Sequence, residues 1–325
     1  MIKERNLDPS LRSKIKTDFI PASAEKHYIV KDGAQAKTYW DGRVPGDRIH
    51  ASPASGASGA LAAALAAMTS GRNDVAYLSP DNHTLGAGLT WSKSMCHLIG
   101  AFGPAFQNQR PRIGHNANFA SLLTVSGQGN TFANLYFMHG RGNATNLNLL
   151  TVSGNRNSFI NCHFAGPLHA TEGATAGYDL VRLAAAETYF ENCLFGTDGT
   201  AGSTISLVEF GAQAEPPRAV FQNCIFLMSA DGVGAFFLKA LAGLGACAII
   251  FKNCTFFNIG GSSLTYGIDG TGLGNGKMFF DINCHFAGVD DIVTAAEEAN
   301  VFCGHGGYVS ADLLNNMLAT NPDVS

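Results

Sequence analysis

The apolar residues of this chain fall into short alternating runs, not helical stripes. Around Asn161 the large apolar positions Phe159, Cys162 and Phe164 are interleaved with variable ones, a period of two that belongs to strand. The same run, Phe-x-Asn-Cys-x-Phe, returns at 190–195, 221–226 and 251–256. A degenerate first copy consists of Phe132, Asn134, Leu135 and Phe137. The last copy, Phe280, Asn283, Cys284 and Phe286, carries one extra residue before its Asn. The asparagines are therefore 27, 31, 31, 30 and 30 residues apart.

Asn tolerates a left-handed backbone better than other residues with a side chain, so each copy reads as strand, one-residue corner, strand. Further apolar runs, Leu122 to Val125 and Leu149 to Val152, are each followed by Ser-Gly, and glycine-rich or polar clusters then break the chain. Three short strands in about thirty residues define the coil of an all-β, single-stranded right-handed parallel β-helix. In such a coil, equivalent residues stack about 4.8 Å apart and every repeat position becomes a column. The spacing predicts a side-chain ladder of Asn134, Asn161, Asn192, Asn223, Asn253 and Asn283, and a core stack of Cys162, Cys193, Cys224, Cys254 and Cys284 beside the phenylalanines. Starting at Val75–Leu78, about seven coils are expected, a rod about 35 Å long.

A solenoid needs its ends covered. The alanine-rich run from Ser58 to Met68 predicts a helix, with Gly71 where a C-terminal cap belongs. Beyond Phe286, Asp290–Ala299 and Ala311–Ala319 read as short closing helices. The organisation expected is an anchoring arm over 1–55, the β-helix with its helical cap over 56–288, and a C-terminal cap over 289–325.

Composition adjusts this picture in a few places. A hydrophobic content of 46% excludes gross disorder, and charge is sparse at 14%. Eight cysteines in 325 residues are too few for a disulfide scaffold; at one repeat position they act as small hydrophobes. The net charge of −4 argues against nucleic acid as a partner, but it is unevenly placed. Residues 1–50 carry 10 Lys+Arg against 7 Asp+Glu, leaving 11 against 18 for the rest. Lys3, Arg5, Arg12, Lys14 and Lys16 make that arm an expected anchor, ordered by docking on another surface. Charges at the very start exclude a secretory leader. Residues 232–251 hold a single charge, Lys239, but span two repeats and four glycines, so no membrane partner is expected.

Alternation places Tyr136, His163, Leu194, Ile225, Thr255 and His285 on the outside. The apolar part of that column, Tyr136, His163, Leu194 and Ile225, predicts a subunit interface, most simply in a homotrimer. His163 and His285 are four coil steps apart, roughly 19 Å, too far to share an ion with ligand bonds near 2 Å. No metal site or cofactor is expected.

The passage from the alanine-rich helix through 71–78, Leu89-Thr90-Trp91, His97-Leu98-Ile99-Gly100 and Arg110-Pro111-Arg112-Ile113 resembles the opening coils of pectate-lyase-like β-helices. More narrowly, it is similar to β-helix proteins encoded among the head structural genes of tailed bacteriophages. The resemblance covers about residues 55–290. It implies a non-enzymatic virion protein, a capsid decoration or head-attached rod, with the major capsid protein or other virion proteins as partners. Enzymes of this fold use clustered Asp, or Asp with Arg or Lys, on one face of adjacent coils. Here Asp179, Glu187, Glu191, Asp198, Glu209, Asp231, Asp269 and Asp281 occupy different repeat positions, so no catalytic residues are expected. The alternatives are a tailspike-like polysaccharide-degrading enzyme and a β-helix that binds glycan through exposed Tyr136 or Trp91.

Overall fold

The computed structural model describes residues 27–32, 49–52, 59–78, 82–101, 111–115, 117–140, 147–202, 205–211, 217–230, 234–293, 298–304 and 307–308. Its strands form three sheets of twelve, eight and eight, in which each strand pairs with its counterpart one coil away. All of these pairings are parallel except the last, between Val301–Cys303 and Gly307–Tyr308. The chain is thus a right-handed parallel β-helix. Its coils begin at Asp74–Leu78 and end at Val289–Val293.

Eight three-stranded coils are traced, one more than the spacing predicts. The first coil is short, as Asp74 pairs with Cys96 only 22 residues later. Residues His27–Asp32 and Ile49–Ser52 add two more parallel strands to the first sheet. Part of the segment expected to be a separate arm therefore extends the solenoid. Lys3, Arg5, Arg12, Lys14 and Lys16 lie outside the described residues, as does Ala311–Ala319.

Helix α1 (Gly59–Ala67) packs against these two strands and buries Ala60, Leu61, Ala64 and Leu65. Lys93 closes its C-terminal end by donating to the carbonyls of Ala66, at 2.7 Å, and Met68. At the other end the expected helix over 290–299 is a strand, Val289–Val293, in register with Leu264–Asp269. Pairing with an existing edge and burial of Val289, Ile292 and Val293 override the local helix signal.

The core consists of two columns of phenylalanine. Phe132, Phe159, Phe190, Phe221, Phe251 and Phe280 stack face to face with centroids 4.5–5.0 Å apart. Phe137, Phe164, Phe195, Phe226, Phe256 and Phe286 form the second column at 4.3–5.4 Å. Rings of one column meet the other edge-on, as Phe190 meets Phe195 at 5.5 Å, so each has stacked and edge contacts.

Between the columns runs the corner. Asn134, Asn161, Asn192, Asn223 and Asn253 all have φ between 50° and 58°. Their backbone N–H groups donate along the rod: Asn161 to Glu191 O at 2.9 Å and Asn192 to Gln222 O at 3.0 Å. Side-chain amides connect Asn161 to Asn134 at 3.3 Å and Asn253 to Asn223 at 2.9 Å. Asn283 departs from the expected ladder. The extra residue in its copy puts Asp281 at the corner, and the Asp281 carboxylate accepts from the N–H of both Asn253, at 2.9 Å, and Asn283, at 3.0 Å. Replacing Asn192 by Ala is expected to cost about 1–2 kcal/mol from the left-handed backbone alone. Asn192→Gly should recover most of that in urea unfolding, because glycine accepts this φ.

All eight cysteines are free and buried. Cys162, Cys193, Cys224, Cys254 and Cys284 donate to carbonyls one coil back, as Cys193 does to Phe159 O at 3.4 Å. Burial pushes the Cys162 and Cys224 thiols up, which keeps them as donors.

Candidate functional site

The residues expected to face outward as an interface are mostly covered by the chain itself. Tyr136, His163 and Leu194 are buried, and only Ile225 in that set is partly open. Arg112 lies over the Tyr136 ring at 4.9 Å, and His163 packs on its other side at 4.8 Å. His163 Nε2 lies 3.0 Å from Gly196 O, and helix α2 (Ala170–Gly173) packs against strand Leu194–Gly202. Long excursions after the second-sheet strands supply this cover. The apolar column is therefore not an exposed stripe awaiting a subunit. Trp91 is also buried, its Nε1–H donating to Cys96 O at 2.9 Å, so neither aromatic offered as a glycan platform is exposed.

The third sheet holds the densest charged constellation among the described residues. Strand pairing aligns Thr151, Arg182, Glu209, Lys239 and Asp269 in one column, so opposite charges alternate at the interstrand spacing. Arg182 Nε lies 3.2 Å from Glu209 Oε1, and Lys239 Nζ lies 3.2 Å from Glu209 Oε2. Asp179, three residues before Arg182, reaches the same place: Lys239 Nζ is 3.9 Å from its Oδ1, and Ser206 Oγ–H donates to that oxygen. Asn148 Nδ2 donates to the Asp179 carbonyl at 3.0 Å, fixing the backbone beneath.

Both carboxylates are only 3% exposed, whereas the Arg182 and Lys239 side chains are 44% and 26% exposed. The cations roof the acids. Burial, reinforced by Glu209, pushes the Asp179 carboxyl up to about 8, against the opposing pull of Ser206 and Lys239. Chemically this is a pair of acids on neighbouring coils, one holding a proton near neutral pH. The carboxylates that appear scattered in the sequence thus include one assembled set. Motif spacing misses it because the third sheet advances 27 residues from Asp179 to Ser206, while the first advances 31 from Phe190 to Phe221.

The raised Asp179 pKa has a signed consequence. Between its ordinary value of 3.8 and about 8, the folded protein keeps a proton that the unfolded chain releases, so stability falls as pH rises. Burial pushes His163 down to about 4, so above pH ~6.5 this histidine is neutral in both states. Between pH ~6.5 and ~7.5, Asp179 should remove up to about 1.4 kcal/mol of unfolding free energy. Urea titrations at the two pH values should show that loss in the wild type and a flatter response in Asp179→Asn.

No family model matches the sequence, and no curated protein matches it significantly. Among solved structures, the chain is similar to pectin methylesterase PemA from Erwinia chrysanthemi, with 13% identity over 94% of this chain and 100% of that one, at a TM-score of 0.52. Pectate lyase Pel9A is similar over 91% of this chain and 83% of its own, at 14% identity and a TM-score of 0.44. ORF18 of Geobacillus virus E2 is similar over 75% of this chain and 57% of its own, at 13% identity and a TM-score of 0.40. At such identities the likeness concerns architecture, and by that architecture the chain is a right-handed parallel β-helix similar in fold to pectin methylesterase.

Proposed function

We propose that the chain is a non-enzymatic structural protein of a tailed-phage particle, a rod attached to the head through its basic N-terminal segment, with the major capsid protein or another virion protein as partner. The observation that supports a non-catalytic role is the closure of the one assembled acidic set. A glycoside-cleaving pair must reach the bond it breaks from both sides. Asp179 and Glu209 are instead buried beneath Arg182 and Lys239. The resemblance of the opening coils to phage head proteins supplies the context, and the basic character of residues 1–50 suits docking on a capsid surface. Homotrimer formation remains part of this proposal only through residues outside the covered Tyr136–Leu194 column.

Particles with and without the protein provide the test. Loss of the protein should lower their resistance to heat and osmotic shock, since a head-bound rod adds contacts between neighbouring capsomers. Equal resistance would count against the proposal. A second function, cleavage of surface polysaccharide, is favoured by the proton held on Asp179 beside Glu209. Release of reducing or unsaturated sugar ends from bacterial capsule, lost in Glu209→Gln, would establish it in place of the first.

A further inference from the structure

Three side chains that no repeat position connects meet beside the second sheet. His115 ends strand Arg112–His115, and His139 follows strand Tyr136–Met138 one coil on. Glu172 stands on helix α2, in the excursion after strand His163–Ala165. The register of Tyr136 with Arg112 and Phe137 with Ile113 carries His139 over His115. Their ring centroids are 4.7 Å apart and the planes 20° from parallel. One nitrogen from each ring and one Glu172 carboxylate oxygen all lie within 4.8 Å of one another. His139 and Glu172 are fully buried, and His115 is half-buried, leaving one side open to solvent.

Hydrogen bonds orient the cluster. His139 Nδ1 lies 3.1 Å from Tyr178 Oη and 3.7 Å from Glu172 Oε2, while His139 Nε2 is buried with no hydrogen-bond partner. His115 Nδ1 lies 2.9 Å from Ala117 O, which makes it the donor and leaves Nε2 as the basic nitrogen; that atom meets Gly140 N–H at a long 3.3 Å. Two neutral imidazoles and a carboxylate, braced by a tyrosine, form a borderline N₂O donor set. Such a set suits zinc-type ions better than magnesium or calcium, which take oxygen ligands. A buried nitrogen without a partner is the feature that an ion would satisfy.

We propose that His115, His139 and Glu172 bind one divalent transition-metal ion of the zinc type, with a water on the open His115 side as fourth ligand. Tetrahedral ligands with bonds near 2.0–2.1 Å lie about 3.3 Å apart, so the cluster must contract by up to about 1.5 Å. His115, being half-buried, has room to turn and give up its long contact with Gly140. The ion would join two successive coils to the excursion carrying α2 and so pin the loop that covers the second sheet. This site is independent of the virion role proposed above.

The test uses the full chain dialysed against a chelator, with zinc chloride as the probe. Calorimetric titration should give one zinc per chain, and zinc should raise the melting temperature where the same concentration of magnesium does not. Glu172→Gln and His115→Gln, each checked for a retained β-sheet spectrum, should weaken zinc binding beyond the 10–100-fold typical for loss of an outer partner. His115→Gln, at a half-buried position, keeps the test decisive if Glu172→Gln fails to fold. Absence of zinc binding by the wild type, or unchanged affinity in the folded variants, would overturn the proposal.

Discussion

Phe190→Ala is expected to destabilise the protein by about 3–5 kcal/mol. Phe190 has no exposed surface and stacks on Phe159 at 4.9 Å and Phe221 at 4.7 Å. It also meets Phe164 and Phe195 edge-on, at 6.2 and 5.5 Å. Truncation removes the transfer energy of the ring and leaves a void that cannot close, because the strands on either side are held at the interstrand spacing by their own hydrogen bonds. Phe279 supplies the control. It is 39% exposed and stacks only on Phe302, at 5.2 Å, so Phe279→Ala should cost less than about 1 kcal/mol. Urea unfolding of the two variants should separate them clearly; similar losses would contradict a continuous aromatic interior.

Gly154→Ala should cost about 3 kcal/mol, at the upper end of the usual range for overpacking. A Cβ there would lie 2.0 Å from Gly127 O and 2.7 Å from Gly127 C, both backbone atoms of the adjacent coil. The Gly127 carbonyl is not free to swing aside, since Asn157 Nδ2 donates to it at 2.9 Å. Two coils would have to part. Gly177 tests the reasoning from the other side: its φ is +80°, with nothing within 4 Å of an added Cβ, so Gly177→Ala pays only the left-handed backbone cost of about 1–2 kcal/mol. A thermal melt in which Gly154→Ala is the milder change would contradict this packing of coil on coil.

The columns of Phe, Cys and Asn are legible in the sequence because one residue type recurs at one structural position, and parallel pairing preserves that equivalence. Asn283 shows where this ends. A single inserted residue leaves the motif recognisable to the eye yet hands the corner to Asp281, whose carboxylate takes over the carbonyl's role. A second column escapes notice for lack of repetition. Asn130 and Asn157, both buried, accept from Cys96 N at 2.8 Å and Asn130 N at 2.9 Å at the turn into the first sheet, but only two copies exist. The outward column was legible in direction but not in exposure. Whether Tyr136, His163 and Leu194 see water depends on excursions such as α2, which have no repeat of their own. The charged cluster and the histidine pair are hidden for a related reason. Insertions between strands uncouple the advance of the three sheets, so Arg182 and Glu209, or His115 and His139, become neighbours at intervals that the Phe-x-Asn-Cys-x-Phe motif does not share.

Cross-strand disulfide trapping tests the stacked-coil architecture most directly. Gln222 and Lys252 are register partners on adjacent coils, partly or fully exposed, and their Cα atoms should be about 4.8 Å apart, within the 4.4–6.8 Å that a disulfide spans. Arg218 pairs with Ala248 instead, which puts it four residues, roughly 13 Å, out of step with Lys252. The eight native thiols are buried and should stay out of the exchange. Under mild oxidation, Gln222→Cys/Lys252→Cys should close an intrachain disulfide that peptide mass mapping identifies, while Arg218→Cys/Lys252→Cys should not. Failure of the first pair to close, or equal closure of both, would contradict the parallel stacking of coils from which every column and site described above derives.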